Sequence, residues 1–385
     1  MKKSINHIYL IIILAVLSSV APMAIDTYIP SIPKIALDFE VSIEKIELTL
    51  SIFLIGFSIG QIFGGALSDR IGRKKSSLIG LIGFSFFSFI IIFSSNIYEL
   101  WIYRFFEAFF GGLVVVNSNA IVRDMFHGKE AAKIFSLIGT VRSLAPLIAP
   151  AIGSFIIHFY SWKAVFIFLG LYALLVAFFI QKDLKETFTY TKQNILESYK
   201  IVFKNTMALK AMLVLAVCFS GFFILIAKSS FIYIEYFNIS TDYFPFFFGL
   251  NFLILIIMIR VNVYLLNSFT QLELIKYSIL IQIIAGVLLM LLSNTISLIT
   301  TMILIATYMS MMAFIFGNCV ALAMESFSKN AGVASSVIGV LQFGLGAIIS
   351  SIALVFHSNS FLPIGASISF ISLIAFFIIR SYKIK

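Results

Sequence analysis

Runs of about twenty predominantly apolar residues, each closed by a short polar or charged break, recur along the whole chain. A helix of that length matches the hydrocarbon thickness of a bilayer, at roughly 20 residues per crossing. With hydrophobic residues at 61% and charged ones at 11% of 385, the composition excludes a soluble domain of this size. A β-barrel would alternate apolar and polar residues along each strand, and these runs are continuous. The chain therefore reads as an all-α integral membrane protein. Twelve spans are expected, at 8–32, 46–67, 77–95, 98–122, 133–157, 163–180, 208–234, 246–266, 276–293, 297–323, 332–356 and 361–380.

The cations orient these spans. With the N-terminus in the cytoplasm, 21 of the 27 lysines and arginines fall on that side and three, Lys34, Lys45 and Lys163, fall outside. An even number of spans then puts both termini in the cytoplasm. The net charge of +10 belongs to these loops and implies no nucleic-acid partner. Met1 to Ala21 imitates a signal peptide, but Pro22 would follow the cut and the apolar run continues through Ile25, which predicts a retained first helix. The longest connection, Gln181 to Met207, is polar and rich in lysine. It divides the chain into an N-terminal six-helix bundle over 1–180, a cytoplasmic linker over 181–207 and a C-terminal six-helix bundle over 208–385. Ala120 to Asp124 (AIVRD) and Ala321 to Glu325 (ALAME) close the fourth and tenth spans, as two related halves would.

The stretch Ser51 to Lys75 joins an apolar helix to a cationic turn. Gly56, Gly60 and Gly64 recur every four residues and share one helix face, which predicts a close helix contact. After Leu67 the apolar run stops at Asp69, and Arg70, Arg73, Lys74 and Lys75 surround Gly72, which can take the positive φ of a tight turn. From charge alone this is a positive-inside loop. Gly65, Leu67, Asp69, Arg70, Gly72, Arg73 and Lys74, at their fixed spacing, resemble the G-x-L-x-D-R-x-G-R-K signature of major facilitator superfamily transporters. That resemblance implies the major facilitator fold, two pseudo-symmetric six-helix bundles, with Gly65, Asp69, Arg70, Gly72, Arg73 and Lys74 forming an inner gate motif. The corresponding region of the second half, NSFTQLELIK around Thr270, has lost the signature.

Several charged residues lie inside spans. Asp26 falls about 27 Å along the first helix from Ile8, in the outer part of the membrane. A carboxylate there is costly and points to a functional site, with an acid wetting the outer rim near Pro30 and Pro33 as the other reading. Pro22 to Pro33 resembles the first-helix D-x-Y-x-P-x-x-P signature of the bicyclomycin and chloramphenicol resistance (Bcr/CflA) family of drug:proton antiporters. Arg104 and Glu107 lie at a depth close to that of Asp26 and can pair at i, i+3, as a structural ion pair or as part of a coupling site. Arg104 to Ala108, Gly111, Gly112 and AIVRD resemble the R-F-x-Q-A…A-I-V-R-D stretch of the same family. Two departures stand out: Glu107 replaces the usual glutamine, and Phe110 fills a glycine position.

In the fifth span, Pro146 and Pro150 bend or loosen the helix. Together with Gly153 they resemble the antiporter motif of the superfamily, with Ala149 and Ser154 where glycine is preferred. Arg142, in the same span, must find an acid, a carbonyl or water. Lys228, near the outer end of the seventh span, either snorkels to the surface or borders a cavity. Gly317 stands where the family resemblance leads one to expect proline, which would straighten the tenth helix.

Cys218 and Cys319 read as small buried residues, and the four histidines have no metal-ligand spacing. No P-loop or zinc-protease motif occurs, so no cofactor and no enzyme activity are expected, and if the chain pumps a substrate an ion gradient is the expected energy source. The resemblance implies a monomeric, proton-coupled multidrug efflux transporter of the inner membrane that exports small lipophilic drugs by alternating access. Asp26, Arg104, Glu107, Arg142 and Lys228 would then serve proton coupling and the substrate cavity. The alternative is a proton-linked exporter or importer of an anionic or zwitterionic metabolite, which three intramembrane cations against two acids would suit.

Overall fold

A computed structural model of the chain describes residues 7–126, 128–187, 195–325, 327, 331–355 and 360–382. Sixteen α-helices follow one another, and no strand occurs among the described residues. They are α1 (His7–Asp26), α2 (Ile32–Asp38), α3 (Ile43–Ile71), α4 (Arg73–Ile91), α5 (Ile97–Met125), α6 (Gly128–Phe159), α7 (Lys163–Asp183) and α8 (Ile195–Lys204). The chain continues through α9 (Thr206–Ala227), α10 (Phe244–Leu265), α11 (Gln271–Leu291), α12 (Leu298–Ser310), α13 (Met312–Met324), α14 (Ala331–Val340), α15 (Gly346–Val355) and α16 (Leu362–Arg380). Eleven helical stretches among the described residues are long and apolar enough to cross a membrane. The remaining expected span lies in α6, whose described side chains form the shorter apolar piece Leu144–Phe159. Two compact units result, Met1–Lys192 and Gln193–Lys385.

Four expected spans are interrupted. The first was expected to run unbroken over 8–32, but α1 ends at Asp26, a 3-10 turn covers Ile29–Ser31 and α2 restarts at Ile32. Pro30 and Pro33 lack the N–H groups that would bond the carbonyls of Asp26 and Ile29, so the helical ladder cannot pass. The seventh, expected over 208–234, ends as α9 at Ala227 with Lys228 as its cap, and a π-helical segment follows over Phe231–Tyr236. Ser229 lies in that junction and turns its hydroxyl back to the Ile226 carbonyl at 2.6 Å, a local competitor for the helical ladder. The tenth breaks at Met311, between α12 and α13, whereas Gly317 lies within α13. A second π-helical turn, Leu341–Leu345, separates α14 from α15.

In the first unit the glycine face does what its spacing predicts. A β-carbon at Gly56, Gly60 or Gly64 would collide with the backbone of Phe105, Phe109 or Leu113 respectively, and one at Gly112 would collide with Phe57 and Gln61. Helices α3 and α5 therefore touch backbone to backbone along three turns. Phe110, the bulky departure from the family pattern, is accommodated by Gly83 of α4, where a β-carbon would strike its ring. Replacing Gly60 by valine is expected to push α3 and α5 apart and abolish the folded peak in fluorescence-detected size exclusion. A normal peak and melting temperature would show that the two backbones separate at little cost.

The second unit begins its own helix after the lost signature by different means. Thr270 and Glu273 form a capping box at the start of α11, with the Thr270 hydroxyl accepting from the Glu273 amide and the Glu273 carboxylate accepting from the Thr270 amide. Cys218 and Cys319 are buried free thiols.

Candidate functional site

The break after α1 places Asp26 at a helix end inside an apolar stretch. Its side chain is 4% exposed and makes no hydrogen bond or ion pair with the described residues. The antiporter-like helix meets this break: the Gly153 α-carbon packs against the Thr27 carbonyl, where any β-carbon would clash. Helix α6 runs through Pro146 and Pro150 without interruption, with Ala149, Pro150 and Ser154 buried. Arg142 belongs to the same helix, and its side chain lies outside the described residues.

Arg104 and Glu107 come together, apart from the Asp26 carboxylate. Both are 0% exposed on α5. Arg104 Nη1 donates to Glu107 Oε2 at 2.7 Å, and Glu107 Oε1 accepts from the Ser88 hydroxyl of α4 at 2.7 Å. The guanidinium carbon lies 4.6 Å from the Tyr28 ring centroid, 4.4 Å from that of Phe53 and 5.7 Å from that of Phe166. These rings come from the break after α1, from α3 and from α7, so one cation on α5 joins three other segments through its π contacts. The Ala24 carbonyl lies 3.4 and 3.5 Å from the two terminal nitrogens. Thr49 donates to the Tyr28 hydroxyl at 2.9 Å and holds that ring in place. Glu107 and Arg104 thus form a fully buried ion pair on one face of α5.

Glu47 is a buried carboxylate that sequence reasoning passed over, at 0% exposure in the second turn of α3. Its signal was present, an acid at the edge of the second apolar span. Lys228 is 4% exposed, with its ammonium 5.5 Å from the Phe231 ring centroid.

A second cluster forms at the opposite end of α3, where the cationic signature lies. Gly72 has φ 96, in the region that favours glycine, and joins α3 to α4. Arg73 is the hub: Nη1 donates to Asp69 Oδ1 at 2.5 Å and to the Ser68 hydroxyl at 2.8 Å, and Nε donates to Asp124 Oδ2 at 2.9 Å. Gly65 faces Val116 of α5, and Arg70 is exposed. Lys74 donates from Nζ to the Gln181 carbonyl at 2.7 Å. Asp124 was legible only as the end of the AIVRD stretch, and Glu186, which accepts from the Arg73 amide at 2.7 Å, carried no signal in its polar loop.

The sequence was compared with known proteins. A model of the Major Facilitator Superfamily matches residues 14–351. The bicyclomycin resistance protein homolog of Haemophilus influenzae is 30% identical over 97% of this chain and 97% of its own. The multidrug resistance protein MdtL of Shewanella oneidensis is 32% identical over 43% of this chain and 42% of its own. Among solved structures, a D-xylose-proton symporter superposes with a TM-score of 0.78 at 17% identity, over 96% of this chain and 97% of its own. The nucleoside transporter NupG does so with a TM-score of 0.78 at 12% identity, over 98% and 100%. At those identities the two structures speak for the fold alone.

Proposed function

The chain belongs to the Major Facilitator Superfamily and, within it, to the bicyclomycin-resistance (Bcr/CflA) family, and on that premise we propose that it is a proton-coupled exporter of small lipophilic drugs. The observation that carries the drug reading is the likeness to the bicyclomycin resistance homolog along the whole chain. The proton reading draws on Asp26, a buried carboxylate at a helix break that Gly153 of the antiporter-like helix packs against. A carboxyl group that meets alternating environments can bind a proton in one and release it in the other. Access alternates, with bundles over 1–180 and 208–385, the linker at 181–207 and both termini in the cytoplasm of an inner-membrane monomer.

The test is purified protein in liposomes with bicyclomycin and a panel of neutral, cationic and anionic compounds, with internal pH recorded. Uphill movement of a drug with counterflow of protons supports the reading. Movement of no panel member, or movement without protons, rejects it. A C-terminal fluorescent reporter that matures only in the cytoplasm is expected to shine, and darkness there would invert the topology.

Two further outcomes follow from the clusters. Asp69→Asn removes one of the two carboxylates on Arg73 and is expected to slow transport several-fold at unchanged membrane expression. Undiminished transport would reduce the cationic turn to a topology signal. The second reading, an anionic or zwitterionic substrate, is favoured by the buried Lys228. Under it, Lys228→Gln and Arg142→Gln weaken anionic substrates more than neutral or cationic ones.

A further inference from the structure

The gate turn includes a contact that its signature does not contain. Glu186 lies just beyond the end of α7, outside the motif and outside every span. Its carboxylate sits on the start of α4: Oε1 accepts from the Arg73 amide at 2.7 Å and Oε2 from the Lys74 amide at 3.3 Å. The first amides of a helix have no partner within it and carry the positive end of its dipole, so a carboxylate is their complement. Two more bonds fasten the same segment. Lys74 reaches the Gln181 carbonyl at 2.7 Å, and the Thr187 hydroxyl donates to Asp124 Oδ2 at 3.4 Å, the oxygen that also accepts from Arg73 Nε.

We propose that Glu186 is a positioning residue of the inner gate, a latch by which the segment leaving the first unit holds the Arg73 turn in place. Gly72 then has two duties. Its φ of 96 requires glycine, and a β-carbon there would collide with the Glu186 carboxylate, so the latch closes only over a residue without a side chain. Glu186 itself is exposed, whereas Gly72 and Arg73 are buried. For its transport consequences the inference rests on the transporter reading above; the latch itself is defined without substrate.

Hydrogen exchange of the purified full-length protein tests the latch directly. Glu186→Ala is expected to speed exchange of the first amides of α4 by about tenfold or more, the effect of losing charge-assisted bonds to two amides. Glu186→Gln, which keeps an acceptor but no charge, is expected to fall between. Gly72→Ala should speed the same amides, and adding Glu186→Ala to it should change little, because the carboxylate is already displaced. In liposomes, Glu186→Ala is expected to change the turnover of bicyclomycin about three-fold or more, with KM shifting alongside it, as a residue that sets a conformational step does. Unchanged exchange in Glu186→Ala, or fully additive effects of the two substitutions, overturns the latch. Where Glu186→Ala folds poorly, Glu186→Gln decides by the same criterion. If no compound is transported, the drug reading fails while exchange still decides the latch.

Discussion

Asp26→Asn is expected to abolish uphill, proton-driven export while leaving downhill movement of substrate intact. The sequence named two acids for proton coupling, Asp26 and Glu107. Glu107 is bonded to Arg104 at 2.7 Å and to Ser88 at 2.7 Å, so its charge is already committed. Asp26 has neither kind of partner among the described residues, and its position at the end of α1 exposes it to any movement of the break. Asparagine keeps the shape and loses the proton. Proton release on adding substrate to detergent-solubilised protein should therefore vanish in Asp26→Asn and persist, per folded molecule, in Glu107→Gln. Loss in Glu107→Gln with retention in Asp26→Asn would exchange the two roles. Partial loss in each, with full loss only in the double variant, would mean that the carboxylates share the proton.

Arg104→Gln is expected to be among the most destabilising single substitutions in the first unit, and Glu107→Gln to follow it. Removing one member of a buried pair leaves the other charge unpaired, at a cost of about 3–5 kcal/mol. Arg104→Gln also removes the guanidinium from between the Tyr28 and Phe53 rings and loosens the segment that follows Asp26. Glu107→Gln is gentler because an amide oxygen can still accept from Arg104. The double variant Arg104→Gln/Glu107→Gln leaves no unpaired charge at this site and should recover much of the lost stability, so the two effects should be far from additive. Melting temperatures of the four proteins in detergent close this cycle. Additive losses would show that the residues act through separate contacts and that the pair is not a unit.

The comparison of sequence with structure divides along a physical line. The glycines at 56, 60 and 64 were legible as a helix contact because a repeat of four maps directly onto one helix face, and the structure seats them on Phe105, Phe109 and Leu113. The pairing of Arg104 with Glu107 was legible for the same reason, since i, i+3 neighbours share a face of one helix. Asp69 and Arg73 likewise belong to one turn. What was not legible joins residues far apart in the chain. Nothing in the linker marks Glu186 as the partner of an amide more than a hundred residues earlier, and nothing in α1, α3 or α7 marks Tyr28, Phe53 and Phe166 as the box for one guanidinium.

By itself the sequence determined that this chain crosses a membrane as helices, because a bilayer demands a local property: about twenty apolar residues with every backbone group bonded within the segment. It also determined the cationic turn and the glycine face, which depend on fixed spacing. Only the tertiary structure decided where the long helices break. Prolines 30 and 33 announced a weakness, yet the breaks at Lys228, Met311 and Leu341 follow no proline. Only the tertiary structure, too, separated the carboxylate of Asp26 from that of Glu107. Depth along a helix follows from counting residues, whereas the direction and partners of a buried charge are set by which neighbouring helices pack against it.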